Sequence, residues 1–339
     1  MSRLTTLAVV VALLTQAACG GSGAASASPS PTATCKPLQV TSERYTLDAS
    51  SEPTPGFALK PGTEAVGVVA DRDRTSVWLL GTGSNRVTHV DASGGAIDYV
   101  LPPSSLGLQL SQGPDGTVWV PEQLRGAVVS IAPDGTAREC TLGKGREPYA
   151  TSVAPDGSVW ITEQRGGAIA HLVGDRITEY PMGIANAKGM EVLAAKEGGA
   201  WFTVDGAPVL GKISDQGIIQ TIQVGGSGTN IGVYEAADGA VWVADFSGDR
   251  VVRVAPGDHR LTEWKTAPHA KPQSIGAGSG GGMWVTESGA NRIARIQGSA
   301  VREVYMTGQW PDHIAITADG YGWFTEYYQD RLGRVKLPR

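Results

Sequence analysis

The chain has 339 residues, 41% of them hydrophobic, and a formal net charge of −5 from 28 basic and 33 acidic side chains. That balance leaves no basic face to neutralise phosphates, which argues against nucleic acid as a partner. Gly at 46 and Pro at 20, with repeated Asp-Gly pairs and no long apolar run at helical spacing, point instead to short strands joined by tight turns.

The first residues read as a leader. Arg3 precedes an apolar run over 4–14, far shorter than the ~20 residues a membrane-spanning helix needs, so residues 1–18 are expected to be a signal peptide. The run ends at Ala17-Ala18-Cys19-Gly20, two small residues before a cysteine, as in a bacterial lipobox; Gln16 departs from the apolar residue usual there. Cys19 is the expected lipidation site. Residues 19–35, rich in Gly, Ser, Ala and Pro, form a flexible tether, and 36–339 the folded domain. The expected location is therefore the extracytoplasmic face of the cell membrane, with free secretion as the alternative. Cys35 and Cys140 then remain, and an exported chain can pair them; their positions leave that pairing open.

Tryptophans organise the rest. Trp78, Trp119, Trp160, Trp201, Trp242, Trp284 and Trp323 follow one another at intervals of 41, 41, 41, 41, 42 and 39 residues. A period in the low forties built of strands and turns predicts an all-β fold, a seven-bladed β-propeller with one four-stranded blade per repeat. The third repeat reads as strands over 149–154, 158–163, 168–173 and 177–182. The seventh repeat lacks a fourth strand, and SERYTL at 42–47 has the fourth-strand pattern. It is expected to complete blade seven and so close the ring without an open sheet edge. The periodic tryptophans are expected to pack between blades, which leaves Trp264 and Trp310 outside the series.

Topology brings the start of each first strand and the end of each second strand to one face, around the central channel. Three residues after the tryptophans stand Glu122, Glu163, Asp245, Glu287 and Glu326, which either form a carboxylate mouth for a divalent cation or each accept hydrogen bonds from the next turn. Before the tryptophans, the non-repeated residues are Glu147 and Tyr149, Lys188 and Glu191, Asn230, Lys271 and Gln273, and Trp310, Asp312 and His313. A histidine beside an aspartate is a candidate acid or base, and strand alternation predicts that only one of the two points at the channel. No nucleophile elbow, zinc-protease motif, phosphate loop or cysteine cluster occurs.

Two segments, MWVTESGANRIARI in blade six and WFTEYYQDRLGRV in blade seven, resemble the blade pattern of the virginiamycin B lyase family, and the resemblance extends over residues 42–339. It implies a propeller that opens the ring of streptogramin B antibiotics at an ester by elimination, assisted by Mg2+. The resemblance also implies a histidine in each of blades six and seven and two glutamates in blade seven. Here those contexts read Lys271-Pro272-Gln273-Ser274-Ile275 and Trp310-Pro311-Asp312-His313-Ile314, so Gln273, Trp310 and Asp312 replace three of these residues; Glu326 matches. Gln cannot move a proton near pH 7. The expected function is a monomeric, lipid-anchored binding module with a small molecule, glycan or protein at the channel mouth, held by Glu147, Tyr149, Lys271, Gln273 and Trp310. The alternative is an active Mg2+-dependent lyase or metal-assisted lactone or ester hydrolase, with Asp312 and His313 catalytic and Glu287 and Glu326 on the cation. A purely structural envelope protein is a third reading.

The leader reading has a direct test. Mass analysis of the mature protein is expected to find Cys19 as a lipidated N-terminus, and an unlipidated start elsewhere would favour free secretion.

Overall fold

The computed structural model describes residues 35–338 apart from 52, 74, 106, 227 and 279, so the expected signal peptide and lipidation site Cys19 lie outside the described residues. Seven antiparallel sheets follow one another along the chain, one per tryptophan, each with its first strand innermost. In blade three the four strands are Pro148–Val153, Val159–Glu163, Ala168–Val173 and Arg176–Pro181. From blade two onward, the first and second strands of each blade contact the first strand of the next, and those of blade seven contact the first strand of blade one. These contacts complete a seven-bladed β-propeller.

The tryptophans pack as the repeat demands. Trp160, Trp284 and Trp323 are among the largest fully buried side chains. On the third strand a polar or cationic group commonly lies over the ring, with His171 stacked on Trp160 at 3.7 Å and Arg334 at 4.8 Å from Trp323. Gly333 sits where a Cβ would lie 2.2 Å from the Phe324 ring, so glycine is needed there for that ring to pack against the third strand.

Ring closure differs from the sequence expectation in which strand performs it. Blade seven is completed by Gly56–Ala58, which pairs with Arg331–Lys336, and Ala49–Ser50 adds a fifth strand outside it. The stretch expected to do this, as Thr41–Thr46, instead pairs with Gly95–Val100 and forms a fifth strand on blade one. A six-residue polar strand carrying one aromatic, Tyr45, suits the outer edge of either blade, so pattern alone could not choose. Tyr45 decides it locally: its hydroxyl donates to Asp98 of blade one at 2.8 Å, and Lys60 reaches Asp98 at 2.9 Å and Glu43 at 2.8 Å.

One step earlier, Cys35–Leu38 pairs with Ala137–Thr141 of blade two, and a disulfide joins Cys35 to Cys140. The N-terminal segment therefore crosses the outer edges of three consecutive blades, from two to one to seven, and is clasped at its far end by a covalent bond. A cross-link between residues 105 apart removes much chain freedom from the unfolded state. Cys140→Ser is expected to lower stability by about 2–4 kcal/mol in denaturant melts. Under reducing conditions the wild type should fall to the same midpoint as the variant; no shift on reduction would contradict the clasp.

Candidate functional site at the channel mouth

Except in blade two, each inner strand begins opposite the end of the second strand: Pro148 pairs with Glu163, Pro272 with Glu287 and Pro311 with Glu326. Immediately afterwards the register shifts in six blades, and in blade seven two residues, Asp312 and His313, face the single Thr325. The bulge is stitched by the threonine two places after the tryptophan. Thr325 accepts the His313 N–H at 3.2 Å and donates to the Val66 carbonyl of blade one, while Thr286 donates to the Asp312 carbonyl at 2.8 Å. One side chain thus fixes both the bulge and the next blade.

This bulge overturns the alternation expected at Asp312 and His313. Both side chains are buried, and His313 Nδ1 hydrogen-bonds Asp312 Oδ1. Its Nε2 lies 2.7 Å from Glu191 Oε1. Glu191 belongs to blade four, which neighbours blades three and five, so this contact spans the channel. The second Glu191 oxygen accepts the Val233 N–H of blade five at 3.2 Å. Burial alone would lower the His313 pKa, but Asp312 and Glu191 outweigh it and raise it to about 10. His313 is therefore an imidazolium at neutral pH. Tyr149 borders this network; burial, then the carboxylates of Asp312, Glu191 and Asp205, push its phenol upward.

The other expected residues are placed as follows. Gln273 is buried with its Oε1 3.0 Å from Ser288 Oγ. Lys271 and Trp310 immediately precede the inner strands of blades six and seven in left-handed conformations, φ 51° and 58°. Their backbone N–H groups are held by Asp249 and Asn291 of the preceding blades. Lys271 Nζ lies 5.1 Å from the Trp310 ring and 5.5 Å from the Phe246 ring. Glu147 pairs with Arg165 at 3.0 Å.

The five repeated acids are fully buried; four pair with arginine, and Asp245 and Glu326 also accept the Gly248 and Gly308 backbone N–H groups. Asp245 meets Arg250 at 2.8 Å, Glu326 meets Arg331 at 2.6 Å, Glu287 meets Arg292, and Glu122 meets Arg125 at 3.2 Å. The signal was present in the sequence as an acid followed five places later by Arg in blades five, six and seven. Blade three has Ala168 at that place. Glu163 is left with Arg146 at 3.9 Å, and neither of its oxygens makes a hydrogen bond among the described residues. Burial and then Glu179 raise its pKa to about 8 against the pull of Arg146.

A divalent cation requires several hard oxygens free to converge. Glu287 and Glu326 each have one oxygen held by arginine, and among the described residues no third acidic or imidazole ligand joins them. Lys271 adds an ammonium to this face, and the neutral Gln273 stands where the family resemblance implies a histidine. This donor set does not fit a cation. The one group of described residues that brings three such ligands together, Asp71, Asp73 and His89, lies in blade one by the turn between its first and second strands, where Ser76 already bonds all three.

Comparison with known proteins places this geometry. The sequence profile of the Virginiamycin B lyase family matches residues 139–338. Virginiamycin B lyase of Nocardia farcinica (strain IFM 10152) is 32% identical over 147 residues, covering 42% of this chain and 50% of that protein, so the match spans about half the relative's length. Among solved structures, a streptogramin B lyase superposes with a TM-score of 0.77 at 23% identity, covering 87% of this chain and 97% of that one. A catalytically inactive virginiamycin B lyase from Staphylococcus aureus with quinupristin gives 0.75 at 25% identity, over 88% and 100% of the two chains.

Two charge predictions follow from the buried groups. His313→Gln leaves two buried carboxylates without their cation and is expected to cost about 3–5 kcal/mol. Because the folded pKa of His313 is raised, the wild type's advantage over that variant is complete below about 6.5 and declines as pH rises through about 10. Glu163 acts in the same sense in a lower window: the folded state holds its proton more tightly, so stability falls as pH rises from the ordinary value of 4.5 to about 8, by at most about 1.4 kcal/mol per pH unit. Glu163→Gln should therefore raise the melting temperature at pH 8.5 and leave it nearly unchanged at pH 5. Equal shifts at both pH values would contradict the burial argument.

Proposed function

The chain belongs to the virginiamycin B lyase family, and from that premise we propose that it is an extracytoplasmic, lipid-anchored member that binds its ligand without turning it over. The supporting observation is the state of His313. A group that abstracts a proton beside a carbonyl must be unprotonated and within reach of substrate. His313 is charged, buried, and engaged at both nitrogens by Asp312 and Glu191. Gln273, at the other expected histidine position, has no titratable proton. The alternative of an acid step also fails on energy: an imidazolium stabilised by two carboxylates releases its proton reluctantly.

What remains at the mouth suits recognition. Lys271 and the Trp310 ring offer a cation and an apolar face, and exposed Tyr328 stands edge-on to Trp310 at 6.0 Å. Aromatic anchors of this kind contribute contact area at low conformational cost. The occupant is a small molecule, glycan or protein presented outside the cell, with the chain acting as a monomer.

Family membership itself favours a second reading, an active lyase that opens a streptogramin B ring. Quinupristin incubated with the protein, with and without Mg2+, and followed by chromatography with mass detection separates the two. We expect the substrate to persist unchanged. A new species of identical mass would be the elimination product and overturn the proposal, and a gain of one water would identify a hydrolase.

A further inference from the structure

Away from the channel mouth, the repeat has a second regularity. The ninth residue after each tryptophan lies on the third strand, and its partner on the outer strand is an aromatic residue in five blades: Tyr99, Tyr180, Trp264, Tyr305 and, on the closing strand, Phe57. Each of these rings covers its blade's tryptophan, at centroid distances of 5.7, 6.4, 4.8, 5.8 and 5.9 Å. Two blades break the rule. In blade two the position is Cys140, and in blade four it is Ile222.

The consequences differ. In blade two the disulfide to Cys35 and the added strand Cys35–Leu38 cover the gap, and Cys140 packs in one cluster with Trp119. In blade four Ile222 shares a cluster with Trp201, but no strand or disulfide is added outside it. Trp201 stays partly exposed, and a cavity of about 570 Å³ opens beside it, lined by Lys212, Gln220, Ile222, Gln223 and His259. A second cavity of about 520 Å³ shares Trp201, Lys212 and His259 and extends to Glu197, Asp215 and Glu235 on the neighbouring turns. Both volumes fall in the range of small-molecule sites.

The charges at this place are specific. Lys212 lies with its Nζ 4.7 Å from the Trp201 ring and donates to the Gly198 carbonyl at 2.9 Å, so its ammonium is already committed. Lys196 is likewise held on the Ala236 carbonyl at 2.6 Å. Against these two cations stand three carboxylates. Asp215 accepts the Gly199 N–H through one oxygen, Glu235 accepts the Lys196 N–H through one, and Glu197 is exposed.

We propose that the cavity at Trp201 is a ligand site for a planar aromatic amine, whose ring takes the place that the outer-strand aromatic fills in five other blades and whose ammonium faces Glu235 and Asp215. The site is separate from the channel mouth and stands whatever is bound there. Tryptamine, an indole ring with a primary ammonium, is a suitable probe.

Isothermal titration of the purified full-length protein with tryptamine should show saturable binding at one site, and indole-3-acetate should bind more weakly. Ile222→Tyr places the repeat's own ring in the cavity, so it should abolish tryptamine binding and raise the melting temperature. Glu235→Gln keeps an acceptor for the Lys196 N–H and should weaken tryptamine about two- to fivefold, the loss expected for one partly exposed charge contact; it serves should the Tyr variant not fold. Absence of saturable tryptamine binding, or binding that survives Ile222→Tyr, overturns the proposal. Indole-3-acetate binding as tightly as tryptamine overturns the assignment of an amine.

Discussion

Seven sheets arranged around one axis bring their inner strands so close that side chains from opposite blades meet. In this propeller the meeting is between His313 of blade seven and Glu191 of blade four, with Asp312 on the far nitrogen of the ring. A buried imidazole flanked by two carboxylates must be charged, because the neutral ring would leave two like charges facing each other in a poorly solvated interior. On the proposal above, a ring that already carries this proton cannot take another from a substrate. The structural and functional sides of the account come from one interaction: it braces the ring across its centre, and on our proposal it holds His313 out of catalysis.

At the rim the constraint is the open sheet edge. The chain meets it by sending its N-terminal segment across three blades, completing blade seven with Gly56–Ala58 and adding outer strands to blades one and two. The disulfide at blade two anchors that segment where the outer strand lacks its aromatic, so one feature both fastens the segment and fills a gap in the repeat. Blade four has the same gap without the fastening, and there the tryptophan is left with a cavity.

Much of this was legible in the sequence. The tryptophan interval fixed blade number, and in blade three the expected strands agree with those of the structure to within one residue. That period is a local property of each repeat, so reading it required no knowledge of the folded ring. Ring closure was legible in kind and misread in detail, because the pattern of 42–47 suits the outer edge of blade one as well as that of blade seven. The Glu-to-Arg pairs could have been read from a five-residue spacing. The His313 to Glu191 contact could not: the two residues are 122 apart, and only the closed ring brings them together. The bulge that lets Asp312 and His313 meet is likewise invisible to a strict period of two, since it depends on Thr325 bonding the backbone at that point.

The central claim concerns one proton, and nitrogen NMR of the His313 ring in the intact protein tests it directly. The account predicts that both ring nitrogens carry hydrogen at pH 8 and that the signal begins to titrate only above about pH 9, consistent with a pKa raised to about 10. A His313 ring that is neutral at pH 7 would contradict it, and would return that residue to the list of groups able to take a proton from a bound substrate.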